Sequence, residues 1–464
     1  MMTQKKKAKS AVEDNSNSNE TPQDVAKQLN EMEFCVFDLE TTGGNHSSDK
    51  IIEIGMVKVK GQKILAEKDF LIQPGIKIPE FIQRLTSISQ KDVADSPMVE
   101  EVIDEVLEFM GDAVLVAHNT SFDVPFFNSV LSRMGKPEMK NPSICTNLMT
   151  KYLVPSLMNS NLNYMSKIFE IRHKKAHRAL DDAKASAELL IRYLNIFLDK
   201  GISKINHLYY PRNRYELDRL NFKRGDDLKL IEEKLKILPS SALFTLKGEN
   251  GIILTALPMT KKKEEIAYAF ELLQTQEWEN ATIKLHGPLI ESFIHFAGLF
   301  PKLDTTMRHE ILNFLWKTHL PKMNQGPHPS LLKEEKGLDK LLGDFFVANH
   351  LVPEQYIIYP MAAISHRQEL VFRYPGHKKK LLQYINSKAS KLAGGKIKRQ
   401  SVHPQLKDFF ESYLVEVAAS QKDLYFFKKK KVGTTAAAQD VFFKEFENFL
   451  RNNPNKYNFP RNYI

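Results

Sequence analysis

The stretch EFCVFDLET, residues 33–41, decides how the first half of the chain is read. It is a short apolar run that ends in acidic residues, and it predicts a strand. Successive side chains of a strand point to opposite faces, so Asp38 and Glu40, at i and i+2, project from the same face. Two adjacent carboxylates repel one another unless cations sit between them. Hard divalent ions such as Mg²⁺ or Mn²⁺, which take oxygen ligands in octahedral geometry, would relieve that repulsion. Taken alone, Asp-x-Glu is also what an ordinary acidic turn after a strand looks like.

Outward from this strand the pattern stays regular. KIIEIGMVKV and ILAEKDFLI alternate apolar and polar residues around a Gly61-Gln62 turn, which with residues 33–41 makes a three-strand meander. SPMVEEVIDEVLEFMG carries apolar residues at helical spacing, with Ser96 as the expected cap and Gly111 as the stop. A buried strand, AVLVAH, follows, and then FDVPFFNSVLSRMG, a helix that Thr120 or Ser121 would cap. A further helix is expected over Asn163 to Phe169, and HRALDDAKASAELLIRYLNIFL closes the unit as a long amphipathic helix. The order describes an α/β fold, a mixed sheet flanked by helices.

At 464 residues the chain exceeds one ordinary core, so two or three domains are expected. It has no run of about 18 apolar residues and no signal-peptide core in its first 30 residues, which predicts a soluble, cytoplasmic protein without a membrane segment. Cys35 and Cys145 are too few, and wrongly spaced, for a disulfide framework or a zinc site, and fit a reducing compartment. Charge divides unevenly: residues 1–199 hold 24 basic and 28 acidic side chains, and residues 200–464 hold 42 and 28. Within residues 373–431 the count is 15 basic to 4 acidic, including Lys378, Lys379, Lys380, Lys396, Lys398, Arg399 and Lys428 to Lys431. Clustered Lys and Arg attract phosphate backbones through counterion release. The same lysines would serve equally as solvated faces of ordinary helices.

The expected organisation is a disordered tail over 1–30, an α/β domain over 31–199, a linker over 200–225, an α+β domain over 226–325 and a basic α+β nucleic-acid-binding region over 326–464. In the C-terminal half, ALFTLKGENGIILTAL reads as a hairpin leading into the helix EEIAYAFELLQ, and YIIYPMAAISHRQELVFRY as a second hairpin before the helix KKKLLQYINSK. Both hairpins pass through a proline, Pro258 or Pro375, and three lysines into a helix, a weak echo without tandem repeats.

Three segments, VFDLETTG, LVAHNTSFDVPFF and AHRALDDAKASAELL, occur in this order and resemble the three exonuclease motifs of the DnaQ-like DEDDh family, above all the polymerase III epsilon-type and PolC-type exonuclease domains. The resemblance covers about 160 residues, from about Phe34 to Leu194. It implies a ribonuclease H-like fold and a metal-dependent 3′→5′ exonuclease. Asp38 and Glu40 match the Asp-x-Glu pair of the first motif, Asp123 the Asp that follows Asn119 and Phe122, and His177 with Asp182 the His-x-x-x-x-Asp of the third. Asp181 is one residue too early for that spacing. On this resemblance Asp38, Glu40, Asp123 and Asp182 hold two divalent ions, Mg²⁺ or Mn²⁺, that serve an in-line phosphodiester displacement. Asp38 would bridge both ions, Glu40 and Asp182 would complete the site that activates the water, and Asp123 would hold the second ion, directly or through water. His177 is the general base, a role that suits its ordinary pKa. Thr41 and Thr42 would bind the terminal nucleotide through their backbone, and Phe126 or Phe127 would stack on its base, although aromatics on an amphipathic helix are more often core. Asn119 is assigned to the loop beside the site. The family departs from this sequence at Ser87, where glycine is more usual, and at Cys145-Thr146, where many members have Asp-Thr.

From Leu238 to about Asp304 the sequence resembles GIY-YIG nuclease domains, with Glu291 on the matching helix. Phe244 and Leu254 or Thr255 stand where the tyrosines would be and no arginine matches, so the resemblance implies a domain without cleavage activity. Aromatics interleaved with the basic stretches, Tyr374, Tyr384, Phe409, Phe410, Tyr425, Phe426 and Phe427, could stack on single strands, but their helical spacing favours a core. Gln405 to Phe409 loosely resembles a sliding-clamp peptide inside an amphipathic helix pattern, and a clamp partner is not expected.

The expected function is hydrolysis of DNA from a free single-stranded 3′ end to nucleoside 5′-monophosphates, in proofreading or repair, with any polymerase a separate subunit or part of a repair complex. RNA 3′-end trimming and a non-catalytic nucleic-acid-binding adaptor are the alternatives.

Overall fold

The computed structural model describes residues 28–205, 208, 216–323, 325–333, 338–365, 368–393, 401–420, 423–457 and 459–460. Two compact units make up the chain, residues 1–152 with 160–214, and residues 153–159 with 215–464. Among the described residues no helix is long and apolar enough to cross a membrane.

The first unit is built on a five-stranded sheet in the order β3-β2-β1-β4-β5, from β1 (Glu33–Thr41), β2 (Ile51–Lys60), β3 (Lys63–Leu71), β4 (Val114–Ala117) and β5 (Ser143–Cys145). β1, β2 and β3 form the antiparallel meander read from the alternation, and β4 and β5 add in parallel beyond β1. The helices are α1 (Glu80–Thr86), α2 (Val99–Met110), α3 (Thr120–Arg133), α4 (Thr146–Leu153), α5 (Leu162–Ile168) and α6 (Ala179–Asp199). β1 is buried on both faces because α2 and α3 cover one side, where Phe37, Leu115, Val106 and Phe127 share a core, and α6 packs on the other. This is the mixed sheet flanked by helices of a ribonuclease H-like domain.

The helix starts depart from expectation. Met98, rather than Ser96, precedes α2, and its N–H donates to the Glu101 carboxylate at 2.6 Å. Asn119, rather than Thr120 or Ser121, precedes α3, which begins at Thr120, and the Ser121 hydroxyl donates back to Asn119 at 2.8 Å. α5 starts one residue early, where the Asn161 side chain accepts from the Tyr164 N–H. Ser87 ends α1 at φ 59, in the left-handed region where glycine costs less, which gives the departure at this position a conformational meaning. Most of the tail, residues 1–27, lies outside the described residues; its last residues are built into the unit, with Leu29 buried and its N–H donating to Ser203 at 2.7 Å.

The second unit contains two four-stranded sheets. One has the order β6-β9-β7-β8, from β6 (Arg219–Lys223), β7 (Ser241–Lys247), β8 (Ile253–Met259) and β9 (Asn280–His286); all its pairings are antiparallel. β6 falls inside the stretch expected to be a linker: RLNFK alternates exposed and buried residues and pairs with β9. The remaining linker positions 206, 207 and 209–215 lie outside the described residues. The other sheet has the order β12-β11-β10-β13, from β10 (Phe345–Asn349), β11 (Gln355–Pro360), β12 (Leu370–Arg373) and β13 (Leu424–Phe427). The helices in chain order are α7 (Leu228–Lys236), α8 (Lys263–Thr275), α9 (Leu289–Leu299), α10 (Thr305–His319), α11 (Pro329–Lys333), α12 (Leu338–Leu341), α13 (Lys378–Ala393), α14 (Pro404–Ser420), α15 (Lys429–Val432) and α16 (Ala436–Asn452).

One core runs through both sheets, joining Phe244, Ile283 and Phe293 to Phe346, Tyr359, Phe409 and Leu424. Phe345 and Val347, on the opposite face of β10, pack instead with Phe372, Tyr384, Phe442 and Phe446. The expected boundary between residues 325 and 326 therefore falls inside a unit whose core spans it. Tyr384, Phe409, Phe410 and Phe427 are buried in these cores and present no ring face to a base, a correction to the stacking reading of the basic stretches. Lys396, Lys398 and Arg399 lie outside the described residues.

Candidate active site

The end of β1 delivers two carboxylates, Asp38 and the buried Glu40, opposite Gly55 and Glu53 of β2 in the antiparallel ladder. α3 supplies Asp123 from its first turn, also buried, and α6 supplies Asp182 from its first turn. Glu40, His177 and Asp182 have donor atoms that all lie within 4.8 Å of one another. Three motifs far apart in sequence therefore meet at one end of the sheet.

Two β2 residues explain why α6 arrives there. A Cβ at Gly55 would stand 2.2 Å from the backbone of Ala179 and Leu180, so only glycine lets the start of α6 lie against the strand facing Asp38. Glu53, fully buried, accepts the Ala179 N–H at 2.7 Å and the Arg178 guanidinium at 2.6 Å. A carboxylate at a helix N-terminus satisfies a backbone donor that would otherwise be orphaned and faces the positive end of the helix dipole. Asp182 is held in turn by the His173 ring on one oxygen and by the His177 N–H at 3.2 Å on the other. His177 itself is exposed and sits at φ 63, which turns the chain into α6.

The electrostatics are those of a crowded acidic pocket. Burial, then the charges of Asp123, Asp182, Glu40 and Glu53, hold the Asp38 carboxyl well above the usual carboxylate range. Burial, then Asp182, Glu53 and Asp123, pushes Glu40 up to about 8. Burial raises Asp123 to about 7, although backbone N–H groups of Asp123 and Leu39 pull the other way. Buried carboxylates gathered in this way are costly unless protonated or neutralised. All the donors are hard carboxylate oxygens apart from one imidazole, and such a set suits divalent ions of the Mg²⁺ or Mn²⁺ kind.

The other expected residues divide. Thr41 and Thr42 are buried at the end of β1, with Thr41 Oγ1 donating to Gly43 O at 2.7 Å and the Lys50 N–H donating to Thr42 Oγ1 at 3.0 Å. Asn119 shapes the entry to α3. Phe126 is 0% exposed and packed in the core with Phe127, so it offers no face to a nucleotide, a correction to the stacking expectation. A ring of Phe126 does touch His46, which is half-buried, as is Phe122 beside it. His118 is structural: its Nδ1 contacts Thr146 Oγ1 at 2.9 Å, its Nε2 contacts Ser160 O at 2.6 Å, and burial lowers its pKa.

Sequence reasoning missed Glu53, Gly55, His173 and Arg178. Glu53 had a signal, a lone acid inside the apolar run IIEIGMV. His173 had none, because its partner is fixed by the loop before α6.

A family model described as an exonuclease, RNase_T, matches residues 35–190. DNA polymerase III subunit epsilon of Aquifex aeolicus is 34% identical over 184 residues, 39% of this chain and 89% of that protein. The PolC-type DNA polymerase III of Clostridium perfringens is 46% identical over 158 residues, 34% of this chain and 11% of that protein. The PolC-type DNA polymerase III of Caldanaerobacter subterraneus subsp. tengcongensis is 40% identical over 188 residues, 40% of this chain. The chain spans about an eighth of the length of that relative.

Proposed function

The chain belongs to the DnaQ-like family of exonucleases, and we propose that its first unit hydrolyses DNA from a free 3′ end, one nucleoside 5′-monophosphate at a time, in proofreading or repair. The observation that carries this reading is the meeting of Asp38, Glu40, Asp123, Asp182 and His177 at one end of the sheet.

Two divalent ions, when bound, supply the positive charge that offsets the build-up on the phosphate oxygens during in-line displacement. Asp38, Glu40, Asp123 and Asp182 are the residues that would hold them, and the raised pKa values of Asp38, Glu40 and Asp123 are the cost of keeping that donor set together without cations. His177, exposed beside Glu40 and Asp182, takes the proton from the attacking water. The water oxygen forms the new bond to phosphorus, the bond from phosphorus to the 3′ oxygen breaks, the 3′ oxygen takes up a proton from solvent, and the nucleotide leaves with a 5′-phosphate. His173 and Glu53 keep Asp182 and the start of α6 in register. Thr41 and Thr42 form the wall of the terminal-nucleotide site, and Asn119 its loop.

DNA is favoured because the relatives named above are DNA polymerase III proteins. A polymerase or repair complex in the cytoplasm is the expected setting, and the basic surface of the second unit the expected aid to strand binding. The deciding experiment digests matched 3′- and 5′-labelled single-stranded DNA and RNA with Mg²⁺ or Mn²⁺, comparing wild type with Asp182→Ala. Mononucleotide release from the 3′ end of DNA, lost in the variant, is expected. Faster RNA cleavage would move the assignment to RNA trimming, and intact polymers with wild type would leave a binding adaptor.

A further inference from the structure

The second unit contains a group of side chains that the exonuclease reading does not use. β9 ends at His286, and α9 begins three residues later with Glu291 in its first turn and His295 one turn on. Residues at i and i+4 of a helix share a face. The donor atoms of His286, Glu291 and His295 lie within 4.8 Å of one another.

We propose that these three side chains bind a divalent ion of the zinc class. His286 Nδ1 stands 3.6 Å from Glu291 Oε1. That is too long for a hydrogen bond, yet close to the roughly 3.3–3.5 Å that separates two donors of a tetrahedral ion bound at about 2.0–2.2 Å. His286 is 3% exposed, and its Nε2 has no hydrogen-bond partner among the described residues. An imidazole buried with its polar atoms unsatisfied is costly. Nδ1, which faces Glu291, is the nitrogen a metal would take, and Nε2 would then carry the ring hydrogen.

Glu291 is fixed for the task. Its Oε2 accepts the Gly287 N–H at 3.0 Å, which leaves Oε1 for the ion. A Cβ at Gly287 would fall 2.8 Å from Asn349 O, so glycine lets this turn fold close enough to orient the carboxylate. Among the described residues the one ion-pair partner of Glu291 is His286, and the nearby Lys284 is engaged by Glu216 and Asp218 at 2.7 and 2.6 Å. The His286 and His295 rings lie 4.2 Å apart, close enough to reach one ion. Each ring would offer one nitrogen lone pair to the ion, and the ion would balance the charge of the carboxylate.

Two imidazoles and one carboxylate select zinc-like ions over Mg²⁺ or Ca²⁺, which prefer all-oxygen shells. His350 completes the neighbourhood without joining the ligands. Its Nδ1 accepts the Val352 N–H at 3.0 Å, so the neutral ring keeps its hydrogen on Nε2 and has no lone pair to give. The fourth position is left to water or a small ligand from the cavity of about 210 Å³ that His286, Glu291, His295, His350, Asp218 and Phe459 line.

The test uses the full chain carrying Asp38→Ala and Asp182→Ala, so that the exonuclease carboxylates do not contribute. After chelator treatment, zinc is titrated against a chromophoric competitor and counted by elemental analysis, and Co²⁺ is added in parallel as a spectroscopic probe. The expected result is one zinc per chain and a visible Co²⁺ band of four-coordinate type. His295→Gln and His286→Ala should each weaken zinc by more than the roughly 10–100-fold that changes to ligand-orienting groups cost, with circular dichroism unchanged for His295→Gln. No zinc taken up by folded protein, or uptake unaltered by both substitutions, would overturn the assignment and leave a buried His–Glu ion pair. The outcome is independent of whether the first unit cuts DNA.

Discussion

Glu53 and Arg178 form a forked ion pair, with guanidinium Nε and Nη2 donating to the same carboxylate oxygen at 3.0 and 2.6 Å. The second carboxylate oxygen holds the first backbone N–H of α6. Removing Glu53 strands both donors at the sheet surface. Glu53→Ala should cost about 1–3 kcal/mol, the usual size for leaving a buried donor without its partner. Urea unfolding of the full chain followed by fluorescence checks this, and a loss below about 1 kcal/mol would show that the pair is not needed to seat α6.

Gly55 is the steric counterpart of that pair. Gly55→Val must drive α6 away, because even its Cβ would overlap the Ala179 backbone at 2.2 Å. Overpacking of this kind costs about 1–3 kcal/mol. A displacement of about 1 Å at Asp182 should lower exonuclease turnover by roughly 100-fold. Retained turnover in a folded Gly55→Val chain would refute the close approach.

His177 can be tested without disturbing the fold. Asparagine tolerates the left-handed conformation that His177 adopts at φ 63, and the side chain is exposed. His177→Asn should keep its melting temperature and lose about 100- to 10,000-fold in the rate of hydrolysis. Single-turnover cleavage of a labelled strand at saturating enzyme separates this from a binding defect, and a rate within threefold or so of wild type would remove the general-base role.

The carboxylates predict an unusual pH dependence of stability. Glu40 is raised from 4.5 to about 8 and Asp123 from 3.8 to about 7, so in the folded state they keep protons that the unfolded chain releases near pH 4. Between those limits the folded state binds more protons, and stability falls as pH rises. The metal-free chain should therefore be more stable at pH 5 than at pH 8, with the loss complete once pH passes the folded values. Millimolar Mn²⁺ should restore stability at pH 8 by binding the ionised set. Thermal scans with and without chelator test both statements, and equal melting temperatures at the two pH values in chelator would contradict them.

The sequence made the first unit legible because its chemistry is local. Asp38 and Glu40 share a strand, His177 and Asp182 flank a helix start, and an apolar run gave β1 and alternation β2 and β3 almost to the residue. What it concealed depends on neighbours that are distant in sequence. Nothing around Gly55 says that a helix backbone will lie on it, and nothing around His173 says that Asp182 will be its partner. Phe126 looked available to a base only because a helix position does not reveal which face the core claims. In the second unit the alternation of RLNFK is short and sits among Arg and Asn neighbours that read as a linker. One core continues across residues 325 and 326, where a domain boundary was expected.

That continuous core has a consequence for the order in which the chain can fold during synthesis. The first unit has every strand of its sheet once Cys145 has emerged, and the helix that carries Asp182 once Asp199 has. The second unit cannot close its core until Phe409 and Leu424 have joined Leu220 and Phe244, some two hundred residues after β6 is made. Pairings over such separations pay their loop entropy before they are rewarded. Its half-built form leaves the apolar faces of β7, β8 and β9 uncovered, which makes nascent second unit, rather than the nuclease, the stage at which a holding chaperone would be needed.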